Sequence, residues 1–165
     1  MGLPLKGFVA ASNANDVVPE FLLTGEYRPR ASVQTLANAM DVGNPSNFER
    51  MMTLCGGDVE ALQDEVRGFS CDDGQIAETI DEIYRKHGYI SDPHSAVGYL
   101  ASKQLAVDGF YLSTAHAAKF GEVVERAAGV VPTLPKSLAE AVGRERQATP
   151  IEAKEEVLVK FLLEM

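Results

Sequence analysis

Two short apolar runs, each closing on a cluster of small polar residues, do most to limit what this chain can fold into. Residues 5–11 (LKGFVAA) run into Ser12-Asn13, and residues 108–113 (DGFYLS) break at Thr114-Ala115-His116. Both read as buried strands. Nearly everything else carries helical spacing. Val17, Val18, Phe21 and Leu22 follow the cap-type oxygens of Asn15-Asp16, and Gly25 stops that helix. A polar loop with Pro29 fills residues 26–32, and Pro45 favours a turn beyond the apolar stretch 35–42. A helix is expected from Phe48 to Leu54, ending at Gly56-Gly57, and another over 58–66 with Val59, Leu62 and Val66 on one face. Ile76, Ile80, Ile83 and Tyr84 form a clearer stripe closed by Gly88. Asp92 caps and Pro93 opens a helix carrying Val97, Leu100, Ala101 and Leu105. A further helix holds Phe120, Val123, Val124 and Ala127. Pro132 and Pro135 mark a connector, and Thr149-Pro150-Ile151-Glu152 reads as a capping box for a closing helix. Few strands, expected to be parallel, among many helices indicate an α/β layered fold. Two such strands leave open sheet edges, so a further segment is expected to pair with them.

The bulk numbers narrow the function classes. Hydrophobic residues make up 45% of the 165 and charged residues 24%, an ordinary globular balance. The formal net charge is -9 with no Lys/Arg cluster, which argues against a nucleic-acid partner and is read as solubility. No apolar run approaches the ~20 residues that span a bilayer, and residues 1–13 lack a signal-peptide pattern. Cys55 and Cys71 lack zinc-site spacing and are too few for a disulfide framework, so they read as reduced thiols of a cytoplasmic protein. No GxSxG, HExxH, CxxC or phosphate-binding P-loop is present. His87, His94 and His116 are scattered and read as structural or surface residues, and no metal site is expected.

The polar clusters remain. Ligands of open α/β sheets bind beyond the carboxyl ends of the strands. Short hydroxyl and amide side chains there donate and accept hydrogen bonds without adding charge. Asn13, Asn15 and Asp16 follow the first run, and Ser113 and Thr114 close the second. Helix capping is the competing role for both groups. Asp41, Asn44 and Asn47 form a third group, for which turn formation competes.

Residues 11–52 (ASNANDVVPEFLLTGEYRPRASVQTLANAMDVGNPSNFERMM) resemble the part of threonine synthases that follows the phosphate loop for pyridoxal phosphate. DPHSAVGYLA at 92–101 and LSTAHAAKF at 112–120 are similar to two further signatures of that family, in the same order. The resemblance spans most of residues 8–124, and the tail after Gly129 adds little to it. It implies the C-terminal part of the large domain of a fold-type II pyridoxal-phosphate enzyme, with residues 1–130 in the cofactor-binding catalytic domain and 131–165 as connector and C-terminal helix. Family members convert O-phospho-L-homoserine and water to L-threonine and phosphate, in threonine biosynthesis. The cofactor acts there as an electron sink on a lysine.

That lysine lies upstream in the family, in a Phe-Lys-Asp context absent from this chain, and Lys6, Lys86, Lys103 and Lys119 do not match it by motif. The family's glycine-rich phosphate loop is also expected before Met1, which itself resembles an internal position. The expectation is therefore a lyase segment that supplies no catalytic residue and is inactive alone. By resemblance Thr114 is the first choice, and Ser113 the second, to face the cofactor's pyridine nitrogen. Asn13, Asn15, Asp16, Asp41, Asn44 and Asn47 are expected to line the site. Ser95 stands where the family pattern suggests threonine, and Ala117 where it suggests proline. The alternative is a stand-alone binding or regulatory module descended from the enzyme. Open strand edges lead to the further expectation that the isolated chain self-associates.

Overall fold

The computed structural model describes residues 4–164. Strand β1 (Phe8–Ser12) leads into helix α1 (Val17–Thr24), and Gly25 closes that helix in the left-handed conformation, its N–H returning to the Phe21 carbonyl. A long loop follows, interrupted by the 3-10 turn Asn38–Met40. Helices α2 (Phe48–Leu54) and α3 (Val59–Glu65) come next. Strand β2 (Val66–Ser70) then pairs with β1 in parallel register, Phe8 opposite Val66 and Ser12 opposite Ser70.

This pairing corrects the strand assignment. Val66 continues the helical stripe of Val59 and Leu62, and its N–H still reaches the Leu62 carbonyl, yet its side chain begins the second strand. Helix passes into strand without a loop, so the local pattern does not mark the change. Residues 110–113 have no strand assignment and pair with no other strand among the described residues. Phe110 and Leu112 are 72% and 76% exposed there, so the run is not a buried strand. Its backbone lacks a sheet neighbour, and sheet hydrogen bonds need one.

The core lies between the sheet and helices α4 (Asp73–His87), α5 (Pro93–Gln104) and α6 (Gly121–Ala128). Ile76, Ile80 and Ile83 of α4 are buried against Val97 and Leu100 of α5, Val124 of α6 and Phe69 of β2. Each isoleucine contributes about 1.5–3 kcal/mol by leaving water. A capping box between Asp72 and Gln75 starts α4, and Gly88 ends it behind Arg85, Lys86 and His87, whose charges suit the helix C-terminus. Glu82 of α4 accepts from Lys86 at 2.6 Å and from Lys103 of α5 at 2.7 Å. These ammonium donors, Lys103 first, hold its carboxyl down at about 2. A second apolar cluster packs α1 and α3 through Phe21, Leu22 and Leu62. Phe48 stands edge-on to Phe21 and stacks on Tyr27 at 3.8 Å between centroids.

Residues 134–165 form a separate compact unit from residues 1–133. It holds α7 (Lys136–Val142) and α8 (Glu155–Leu163). The expected capping box at Thr149–Glu152 does not form. Helix α8 starts behind Lys154 without a side-chain cap, and Glu152 instead pairs with Lys154 at 2.7 Å. Among the described residues no helix is long and apolar enough to cross a membrane.

Candidate functional site

Beyond the carboxyl end of β1 the chain turns through Asn13 and Asn15, both buried. Asn13 Nδ2 donates to Thr35 Oγ1 at 2.7 Å, Asp41 Oδ1 at 2.8 Å and the Ala37 carbonyl at 3.1 Å. Its Oδ1 accepts from the Asn15 N–H at 2.9 Å. Asn15 reaches the 33–41 loop in both senses, donating to the Val33 carbonyl at 2.9 Å and accepting from the Val33 N–H at 2.8 Å. Asp41 Oδ1 also accepts from Thr35 Oγ1 at 2.8 Å, and its Oδ2 accepts from the Thr35 N–H at 3.0 Å. These groups weld the loop to the strand end. A buried amide with every polar atom paired is stiff and costly to disturb.

The other sequence-derived lining residues divide. Asp41 joins Asn13 and Asn15. Asp16 does not, because its carboxylate pairs with Arg30, and it makes no side-chain cap for α1. Asn44 is exposed and accepts from the Tyr27 hydroxyl at 2.9 Å. Asn47 lines a cleft of about 220 Å³ together with Ser12, Asn15, Met40 and Val42. Capping therefore does not account for Asn15 or Asp16, and loop anchoring does.

A second polar group sits at the N-terminus of α5. Asp92 is 1% exposed and caps the helix, its Oδ1 accepting the N–H groups of His94 at 2.9 Å and Ser95 at 3.2 Å. His94 Nε2 accepts from the Ala39 N–H at 3.0 Å, which places the ring proton on Nδ1, 3.2 Å from Asp92 Oδ1. His94 thus ties α5 to the same loop that Asn13 holds. Ser95 Oγ bonds to Asp92 Oδ2 and stands 3.0 Å from Ser113 Oγ. Thr114 is exposed and makes no side-chain hydrogen bond among the described residues. It does not cap the following 3-10 turn (Ala117–Phe120). His116 does, accepting from the Ala118 N–H at 3.1 Å.

Sequence reasoning passed over Thr35, Asp92 and His94 as site components. For Asp92 the cap spacing to Ser95 was a usable signal, whereas nothing local marks Thr35. Cys71 is not poised for chemistry. Both cysteines are free, and burial with help from Asp72 and Asp73 pushes the Cys71 thiol up to about 11. Lys86 and Lys103 are both engaged by Glu82.

A small parallel sheet flanked by many helices is the arrangement of the large domain of pyridoxal-phosphate enzymes of the second fold type, and solved structures similar to this chain are of that class. Threonine synthase from Escherichia coli superposes with a TM-score of 0.79 at 37% identity, over 99% of this chain and 38% of that one. The pyridoxal-phosphate-bound threonine synthase from Brucella melitensis does so with a TM-score of 0.80 at 28% identity, over 99% and 41%. The family described as threonine synthase, C-terminal, matches residues 95–162, reaching well into the tail that the sequence resemblance used little. The threonine synthase of Serratia marcescens is 44% identical over 142 residues, 84% of this chain and 33% of its own length. These matches support a segment from the C-terminal part of a threonine synthase. The chain spans about a third of the length of the curated relatives it matches.

Proposed function

We propose that this chain supplies part of the pyridoxal-phosphate site of a cytoplasmic threonine synthase, a lyase acting on O-phospho-L-homoserine. Residues 1–130 form the C-terminal part of its catalytic domain, and residues 131–165 form a connector and closing helix. When bound, the cofactor supplies an electron sink for carbanions next to its ring. This chain's contribution is a neutral hydroxyl, that of Thr114, held for the ring nitrogen. The donor set fits such a group. Thr114 is exposed and uncommitted, and its neighbour in the chain, Ser113, is a second uncharged hydroxyl. An uncharged partner leaves the nitrogen's protonation to the cofactor itself. Asn13, Asn15 and Asp41 hold the 33–41 loop that borders the strand end.

The uncommitted Thr114 hydroxyl at the end of the 110–113 run is the observation that carries this reading. The isolated chain lacks the family's lysine context and is expected to be inactive. Pyridoxal phosphate added to the purified chain is expected to give neither the absorbance of a cofactor–lysine adduct nor threonine from O-phosphohomoserine. Appearance of both would overturn the inactivity. In a full-length enzyme carrying this segment, Thr114→Val is expected to weaken cofactor binding about fivefold to tenfold, the loss of one hydrogen bond. An unchanged dissociation constant would remove Thr114 from the site.

A further inference from the structure

Ser113 and Thr114 are adjacent hydroxyls, and the structure gives them different work. Ser95 has one hydroxyl proton, and two oxygens lie within its reach, Asp92 Oδ2 and Ser113 Oγ. A carboxylate only accepts, so the Ser95 proton goes to Asp92. The 3.0 Å contact is then made with the Ser113 proton, and Ser113 donates to Ser95. Asp92 is itself fixed, being 1% exposed and accepting from two α5 backbone N–H groups and the His94 ring. The hydrogen bonds thus run outward from a rigid buried carboxylate through Ser95 to Ser113.

The same run meets α5 one turn further along. A β-carbon on Gly98 would lie 3.1 Å from Tyr111 Cβ, so Tyr111 rests on the bare backbone at Gly98. The Tyr111 ring stands edge-on to Tyr99 at 6.4 Å. Residues 111 and 113 therefore face α5, meeting positions 98 and 95 three residues apart. Phe110 and Leu112, which alternate with these two, are 72% and 76% exposed, and a two-residue alternation carried one step further puts Thr114 with them.

We infer that Ser113 is a positioning residue and not a cofactor ligand: the Asp92–Ser95–Ser113 hydrogen-bond chain, with the Tyr111–Gly98 contact, latches residues 111–113 onto α5 and so presents the Thr114 hydroxyl on the other side. The inference rests on the cofactor reading above, and it reassigns Ser113 within it.

The test uses a full-length enzyme carrying this segment, reconstituted with pyridoxal phosphate labelled with 15N in the ring. Three quantities are read: the cofactor dissociation constant, the ring 15N chemical shift and the melting temperature. Ser113→Ala and Ser95→Ala are expected to weaken cofactor binding about threefold to tenfold and to move the 15N shift toward that of Thr114→Val. Ser95→Thr, which keeps a hydroxyl, is expected to restore what Ser95→Ala loses. Asp92→Asn is expected to retain the latch, since its amide can donate to Ser95 Oγ and Ser95 then donates to Ser113. Ser113 is exposed, so Ser113→Ala leaves a folded protein whose site can be read. If Ser113→Ala matches wild type in both cofactor readouts while Thr114→Val does not, the latch is overturned and the cofactor reading stands. If Thr114→Val also matches wild type, both fall.

Discussion

At the scale of single residues, Asn13 is the most exacting position outside the latch. Its side chain is fully buried, and its Nδ2 faces Asp41 Oδ1 at 2.8 Å. Asn13→Ala removes donors from Asp41 and from the Ala37 carbonyl, and should cost about 1–3 kcal/mol in denaturant unfolding. Asn13→Asp keeps the shape but sets a carboxylate against a carboxylate, and should cost more than the alanine. Adding Asp41→Asn to Asn13→Asp restores a donor opposite an acceptor, so the double variant should recover part of the loss. A purely additive double variant would show that the contact does not carry the loop. The residue types at positions 13, 15 and 41 were legible as a candidate site, because amides and carboxylates after an apolar run are conspicuous. Their partners were not. Thr35 has no local mark, and the capping role open to Asn15 and Asp16 is a local possibility that the loop outcompetes.

Among the elements, β2 and α1 meet backbone to backbone. Gly68 lies under Pro19, and a β-carbon there would stand 2.8 Å from Pro19 Cα. Backbone on backbone cannot yield as a flexible side chain does. Gly68→Ala should therefore destabilise by about 1–3 kcal/mol, as overpacking of a tight interface does. An unchanged melting temperature in circular dichroism would place slack between helix and sheet. The helices were largely legible in advance. Those over 17–24, 48–54, 73–87 and 93–104 carry stops or caps in their own chain, at Gly25, Gly56-Gly57, Gly88 and Asp92-Pro93. Strand β2 was not legible, because Val66 fits the helical stripe before it and residues 66–70 are short.

At the scale of the whole molecule, the sheet has two strands among the described residues, and Phe8, Phe110 and Leu112 are 55%, 72% and 76% exposed. Open edges and apolar surface of this kind favour association. Static light scattering of the isolated chain should report a mass well above 17.8 kDa, and Phe8→Lys with Phe110→Lys should lower it. A stable monomer of the unaltered chain would count against the expectation. The sequence by itself determined the class of fold, the helix ends marked by Gly25, Gly56-Gly57, Gly88 and Asp92-Pro93, and the family resemblance. Those signals are local: caps, glycine stops and apolar periodicity act within a few residues, and a motif is a short string. Tertiary structure alone decided that residues 66–70, and not 108–113, pair with β1. It also decided that Asp41 meets Asn13 across 28 positions and that Ser95 meets Ser113 across 18. A strand needs a partner, and a buried hydroxyl or amide needs an acceptor, and both are found only when distant segments are brought together.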